Sequence, residues 1–196
     1  DVSGKPRTFY DVTRYTDGGN ITLNATAGDV LLGSSSFVRV AAASGGGNAG
    51  SLAVNTPQGR FSSAGILLGT AGSGGTAGRF SLDTLALANT ASLTSALSTA
   101  GFTQSQTFRI RSGDVLVDGT ATARAFTLSA DQGSISVTGT IDASGVTGGQ
   151  IQLSANRNIT VSNGSLLTVA GQNFDSAGKG GQIILEAGGQ RNGVMG

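Results

Sequence analysis

Apolar and polar residues alternate along most of this chain, in short runs separated by Gly, Ser, Thr, Asn and Asp. The pattern is clearest from Phe126 to Gly149, FTLSADQGSISVTGTIDASGVTGG. Phe126-Thr127-Leu128, Ile135-Ser136-Val137 and Ile141-Asp142-Ala143 each place apolar residues first and third. Period-two alternation turns one face of each strand inward and the other to water. The connections SADQGS, TGT and SGVTGG are made of turn formers. Three such strands joined by corners predict one triangular turn of a β-solenoid.

The first strand of this unit recurs, as a solenoid requires. One predicted inner column is Ile21, Leu52, Phe80, Phe108, Phe126, Ile151 and Ile183; its companion is Leu23, Val54, Leu82, Ile110, Leu128, Leu153 and Leu185. Several copies share a lead-in, as in Gly18-Gly19-Asn20, Ala49-Gly50-Ser51 and Gly180-Gly181-Gln182. The steps vary from 18 to 32 residues, which a solenoid allows because insertions enter corners and leave strands in register. The prediction is an all-β solenoid, with three strands per coil and about seven coils. Phe80, Phe108 and Phe126 are expected to stack on consecutive coils.

Along the chain, residues 1–17 are the least repetitive and read as the last strand of a preceding coil plus its corner. The first coil is expected to use Ile21–Leu23, Val30 and Leu32, then Val38 and Val40. The second uses Leu52 and Val54, Phe61, then Ile66 and Leu68. Ala43–Ala49 and Gly69–Gly78 read as loose surface corners tolerant of insertion. The third coil breaks pattern within an insertion over 83–106. There Leu93, Ala96, Leu97 and Ala100 fall at helical spacing. Thr90 or Ser92 can cap the start, and Gly101 with Phe102 marks the stop. A short amphipathic helix near 89–100 follows, packed on the solenoid flank with Thr94, Ser95, Ser98 and Thr99 outward; the alternative is a protruding recognition element. The last coils use Ile151 and Leu153, Ile159 and Val161, Leu167 and Val169, then the corner GQNFDSAGKGG over 171–181 and Ile183 and Leu185. EAGGQRNGVMG over 186–196 begins a further corner. Residues 1–196 are thus expected to be one solenoid segment, an excerpt of a longer repetitive chain, with neither end capped.

Composition narrows the class. Gly is 33 of 196 residues and Pro only 2, which suits tight corners between strands rich in ladder hydrogen bonds. Charged residues are 12% and the net charge is +1, against nucleic acid or an anionic membrane as partner. Cysteine and histidine are both absent, removing disulfides, thiolate and imidazole metal sites and any serine–histidine triad. No apolar run is long enough to span a bilayer.

The stretches GGNITLNATAGDV, GSISVTGTIDASGVTGGQIQLSA and GGQIILEAGG resemble the repeats of the filamentous haemagglutinin family, very long exoproteins of Gram-negative bacteria. The resemblance covers 18–196 and rests on GG-x-[IVLF]-x-[LV] and G-x-[IV]-x-[VL]. It implies a right-handed parallel β-helix, two-partner secretion through an outer-membrane partner, and work as an adhesin, a toxin stalk or a structural fibre at the cell surface. Arg111-Ser112-Gly113-Asp114 is close to an RGD tripeptide in letters but is not one. The resulting expectation is a structural stalk or fibre segment of a secreted adhesin, not an enzyme. Its expected partners are further coils of the same chain or other copies, and a cell-surface or glycan receptor recognised by the outer surface or by distal domains. The alternatives are a polysaccharide-active β-helix enzyme or the shaft of a contact-dependent toxin-delivery exoprotein.

Catalysis on a β-helix would need paired carboxylates. Asp114 and Asp131, near one corner of adjacent coils, and Asp118 and Asp142 are the residues to consider. Asp at a corner is first expected to bond nearby backbone N–H groups. No cofactor or metal is expected, since the repetitive and EF-hand calcium motifs are absent. Sequons begin at Asn20, Asn24, Asn158 and Asn163. Arg79, Arg109, Arg111 and Arg124 read as a modest basic strip on the outer face, first as a solvated surface and otherwise as a weak polyanion or glycan contact.

Overall fold

The computed structural model describes residues 1–173 and 180–188. It is a parallel β-helix of three-sided coils. Coil one contains β3 (Asn20–Asn24), β4 (Val30–Leu32) and β5 (Phe37–Arg39), preceded by an antiparallel hairpin of β1 (Pro6–Phe9) and β2 (Val12–Tyr15). Coil two contains β6 (Ser51–Thr56), β7 (Phe61–Ser63) and β8 (Ile66–Leu68). Coil three has β9 (Arg79–Thr84) and then helix α1 (Ala91–Thr99). Coil four contains β10 (Ser105–Ile110), β11 (Val115–Val117) and β12 (Thr120–Thr122). Coil five contains β13 (Ala125–Ala130), β14 (Ile135–Val137) and β15 (Thr140–Asp142). Coil six contains β16 (Gln150–Ala155), β17 (Ile159–Val161) and β18 (Leu166–Thr168), and β19 (Gln182–Ala187) opens the seventh.

The first face is one continuous parallel sheet, β3-β6-β9-β10-β13-β16-β19. The second face is split into β4-β7 and β11-β14-β17, and the third into β5-β8 and β12-β15-β18. Both breaks fall at coil three. A helix with its side chains is about 10–12 Å across, whereas one strand layer occupies about 4.8 Å. The helix therefore cannot replace a strand in its layer and interrupts two sheets.

The register corrects the predicted columns at one coil. Ile21, Leu52, Phe80, Phe126, Ile151 and Ile183 share a column, but its β10 member is Gln106, opposite Phe80 and Phe126. Phe108 stands instead with Leu23, Val54, Leu82, Leu128, Leu153 and Leu185. Ile110 belongs to a third column, between Thr84 and Ala130. A two-residue shift keeps every side chain on the same face, so alternation is satisfied in either register. Gln106 is fully buried because its Nε2 donates to the carbonyls of Phe102 (3.1 Å) and Thr122 (3.3 Å). The phenylalanines still meet across coils: ring centroids lie 5.9 Å apart for Phe80–Phe108 and 5.6 Å for Phe108–Phe126.

Coil two also differs from expectation. Leu67 points inward, while Ile66 is 46% exposed. The polar segment DGTATAR over 118–124 contains β12, with Ala121 and Ala123 buried. Small alanines fill the third face there, and their weak hydrophobicity hid the strand. Burial fades along the stack: Leu128 and Leu153 are fully buried, Leu23 is partly buried, and Ile183 and Leu185 are 41% and 46% exposed. Residues 1–17 are more than a stray strand. The Val2 and Gly4 N–H groups donate to the Arg39 and Ala41 carbonyls (2.9 and 2.8 Å), laying that segment along the edge of β5.

The two glycine-rich corners are built rather than loose. Gly46 is buried beneath the Tyr15 ring. The second corner stacks on the first through Ala42 N–H to Thr70, Ala49 N–H to Thr76 and Gly72 N–H to Gly47. A Cβ on Gly72 would overlap the Ala43 and Gly46 carbonyl oxygens, so glycine is required there by backbone approach. The corner at 171–181 and the segment at 186–196 fall largely outside the described residues.

Candidate functional site

The irregular coil is where chemistry could collect, and α1 determines its shape. The Asn89 side chain caps the helix by accepting the Ala91 N–H (2.8 Å), while Thr90 makes no side-chain cap bond. Gly101, at φ +84, ends it. The Phe102 N–H donates to the Leu97 carbonyl (2.9 Å) and the Gly101 N–H to that of Ser98 (3.2 Å), the paired bonds of a Schellman stop. The helix is rotated from the expected orientation. Thr94, expected outward, is fully buried, its hydroxyl bonded to the Thr90 and Ala91 carbonyls. The predicted apolar stripe is consequently divided. Leu97 and Ala100 enter the core, while Leu93 and Ala96 wall an open cleft.

That cleft has a volume of about 560 Å³. Phe61, Ser63, Ile66, Leu67 and Leu68 form one side, and Leu87, Leu93 and Ala96 the other. Among the described residues no charged one lines it; Asn89, Ser92 and Thr99 are the polar residues on the insertion side. The insertion is tied to coil four, not to coil two. The Leu116 N–H donates to Ala88 and the Thr90 N–H to Leu116 (2.9 and 3.0 Å), and the Ser98 hydroxyl bonds the Thr122 main chain. Toward coil two and its corner, the insertion's main-chain bonds among the described residues lie at its margins, through Leu85 at one end and Ala100, Gly101 and Gln104 at the other. The cleft lies between.

The carboxylates considered for catalysis are each engaged in structural bonds. Asp114 accepts the Ser134 N–H (2.8 Å), one coil above. Asp142 accepts the Ser144 N–H and hydroxyl (2.9 and 2.6 Å). Asp118 accepts the Asn89 amide (3.0 Å), although its Oδ1 is buried without a partner. Asp131 accepts from Arg109 Nε (2.7 Å) and the Ser129 hydroxyl (3.1 Å).

The expected basic strip is dismantled by the same outer columns. Asp83 takes a two-pronged contact from Arg111 (2.7 and 2.9 Å) and lies 3.8 Å from Arg109. The hydrogen bonds that Arg111 donates to Asp83 raise the Arg111 pKa further above its ordinary value. Arg124 folds back onto the Thr147 hydroxyl and the Thr147 and Gly148 carbonyls. Of the four arginines, only Arg79 makes no side-chain bond among the described residues. Asn and Asp also form ladders between coils. Asn24 bonds Asn55 (2.6 Å), Asn20 bonds Ser51 (2.7 Å), and Asp17 accepts the Asn48 N–H (2.7 Å). This last bond, with a side-chain bond from Asn48, lowers the Asp17 pKa. Two sequon asparagines, Asn20 and Asn24, are therefore part of the wall.

Among the described residues no His, Cys, Asp and Glu cluster is arranged to hold a metal ion. No helix among them is long and apolar enough to cross a membrane. The chain matches no family model, no curated protein and no solved structure.

Proposed function

We propose that this chain is a structural stalk or fibre segment of a secreted, filamentous haemagglutinin-like adhesin or cell-surface filament. The observation that carries this reading is the first face: seven parallel strands stacked in register, without interruption even where coil three loses its other strands. A stack of this kind sets length and stiffness, about 4.8 Å per coil. Its outer surface spends charge on internal ladders, as Asp83, Arg109, Arg111 and Asp131 do. The repeat motifs GG-x-[IVLF]-x-[LV] supply the family resemblance and with it export through an outer-membrane partner. Ile183 and Leu185 are half-exposed on an edge strand that pairs, among the described residues, only with β16. Such an edge suits further coils of the same chain or stacking of another copy. In this reading the outer surface or distal domains of the fibre carry recognition of a cell-surface or glycan receptor.

The test is location. An antibody against this chain should label extended surface material on intact cells of the producing organism, and mild shearing should release a long polypeptide carrying the epitope. Labelling only after permeabilisation would overturn the proposal.

A further inference from the structure

We propose that the cleft beside α1 is a docking site for an extended, uncharged peptide segment, which adds to β8 as the strand that coil three lacks. The geometry of β8 carries the inference. The Ile66 N–H donates to Ser36 (2.9 Å) and the Leu68 carbonyl accepts the Val40 N–H (2.8 Å), so both residues turn their peptide groups toward β5. In a parallel ladder the residue between them turns its own to the opposite side. That residue is Leu67, and on that side β8 has no strand partner among the described residues. The position is vacant because α1 lies against β12 through the Ser98–Thr122 bonds, and a helix cannot occupy one strand layer. A sheet edge left open in this way is a template for another strand.

The surroundings select the occupant. Phe61, Leu87, Leu93 and Ala96 offer apolar contact to alternate side chains of a bound strand. The Ser63 hydroxyl, which also lines the cleft, is buried without a hydrogen-bond partner. Without a charged lining residue, nothing compensates a desolvated charge, so charged side chains are disfavoured at the buried positions. A small apolar molecule would fit the volume but would leave the Leu67 peptide group unpaired. A strand satisfies that group and the apolar walls together. β8 spans only Ile66–Leu68, so the paired core is short, with affinity set by two or three side chains.

The probe is a blocked, fluorescein-labelled hexapeptide with the sequence of Ser165–Ala170, SLLTVA, an uncharged third-face segment of this chain. Fluorescence anisotropy with the full 196-residue chain should show saturable binding, with a Kd of about 10–500 µM. The same peptide carrying Leu167→Pro should bind at least about tenfold more weakly, because proline removes a ladder donor. Ala96→Arg, an exposed helical position on the cleft wall, should also weaken binding at least about tenfold while leaving the circular dichroism spectrum unchanged. Ala96→Ser serves as the near-isosteric control and should bind as the parent does. Binding that survives Ala96→Arg would place the peptide away from the cleft and overturn the proposal. Saturable uptake of N-phenylnaphthylamine without peptide binding would make the cleft a small-molecule pocket and also overturn it. So would no peptide binding at about 1 mM.

Discussion

Phe108→Ala tests the register of the stack most directly. The side chain is fully buried, in ladder register between Leu82 and Leu128. Its ring meets Phe80 at 5.9 Å and 49° and Phe126 at 5.6 Å and 44°. Truncation removes two aromatic contacts, about 0.5–1.5 kcal/mol each beyond burial. It also leaves a cavity that cannot readily collapse, because the coils above and below are held apart by strand hydrogen bonds. Phe→Ala in a core costs about 3–5 kcal/mol, and poor relaxation places this site at the upper end, about 4–5 kcal/mol. Phe37→Ala is the control: Phe37 is 61% exposed, and a surface change should stay within about 0.5 kcal/mol. Urea unfolding followed by far-ultraviolet circular dichroism measures both, read as a shift of midpoint at constant slope. A Phe108→Ala loss below about 2 kcal/mol, or one equal to that of Phe37→Ala, would refute the packing argument.

Three further outcomes follow from the corners and the polar ladders. Gly59→Ala should destabilise by about 1–3 kcal/mol, because its Cβ would overlap the Gly28 carbonyl, whereas Gly28→Ala meets nothing within 4 Å and should be close to neutral; the same urea series separates them. A Gly-Ser insertion after Gly46 should unfold coils one and two, since it breaks the stack of that corner on Gly72 and Thr76. The same insertion between Ser34 and Ser35, beside Gly33 with open space around it, should leave the circular dichroism spectrum intact. For Asp17, hydrogen bonds from Asn48 hold the folded pKa below 3.8. A lowered folded value gives stability present above the unfolded pKa and lost as pH falls through the folded one. Asp17→Asn should therefore flatten the acid loss of stability below about pH 4 and leave the slope above pH 5 unchanged, measured as urea midpoints across that range.

Alternation alone specified strands that share one inner face, and the spacing of Gly, Ser and Asn specified where they turn. Both are local properties, encoded within a few residues of each strand, so the three-sided coil and the stop of α1 at Gly101 were legible in the letters. Register was not. Placing Phe108 opposite Phe80, or Gln106 there instead, satisfies the same period of two. The choice was made by tertiary bonds from the Gln106 amide to Phe102 and Thr122, the first just after α1 and the second on the third face of the same coil. Polarity argued against Gln106 as a core residue, and only those two carbonyls make its burial tolerable. The rotation of α1 was decided in the same way, by what Thr94 and Ser98 bond rather than by where leucines recur. The cleft has no motif at all. It exists because a helix is thicker than a strand layer and leans on coil four, a mismatch that appears only once the coils are stacked.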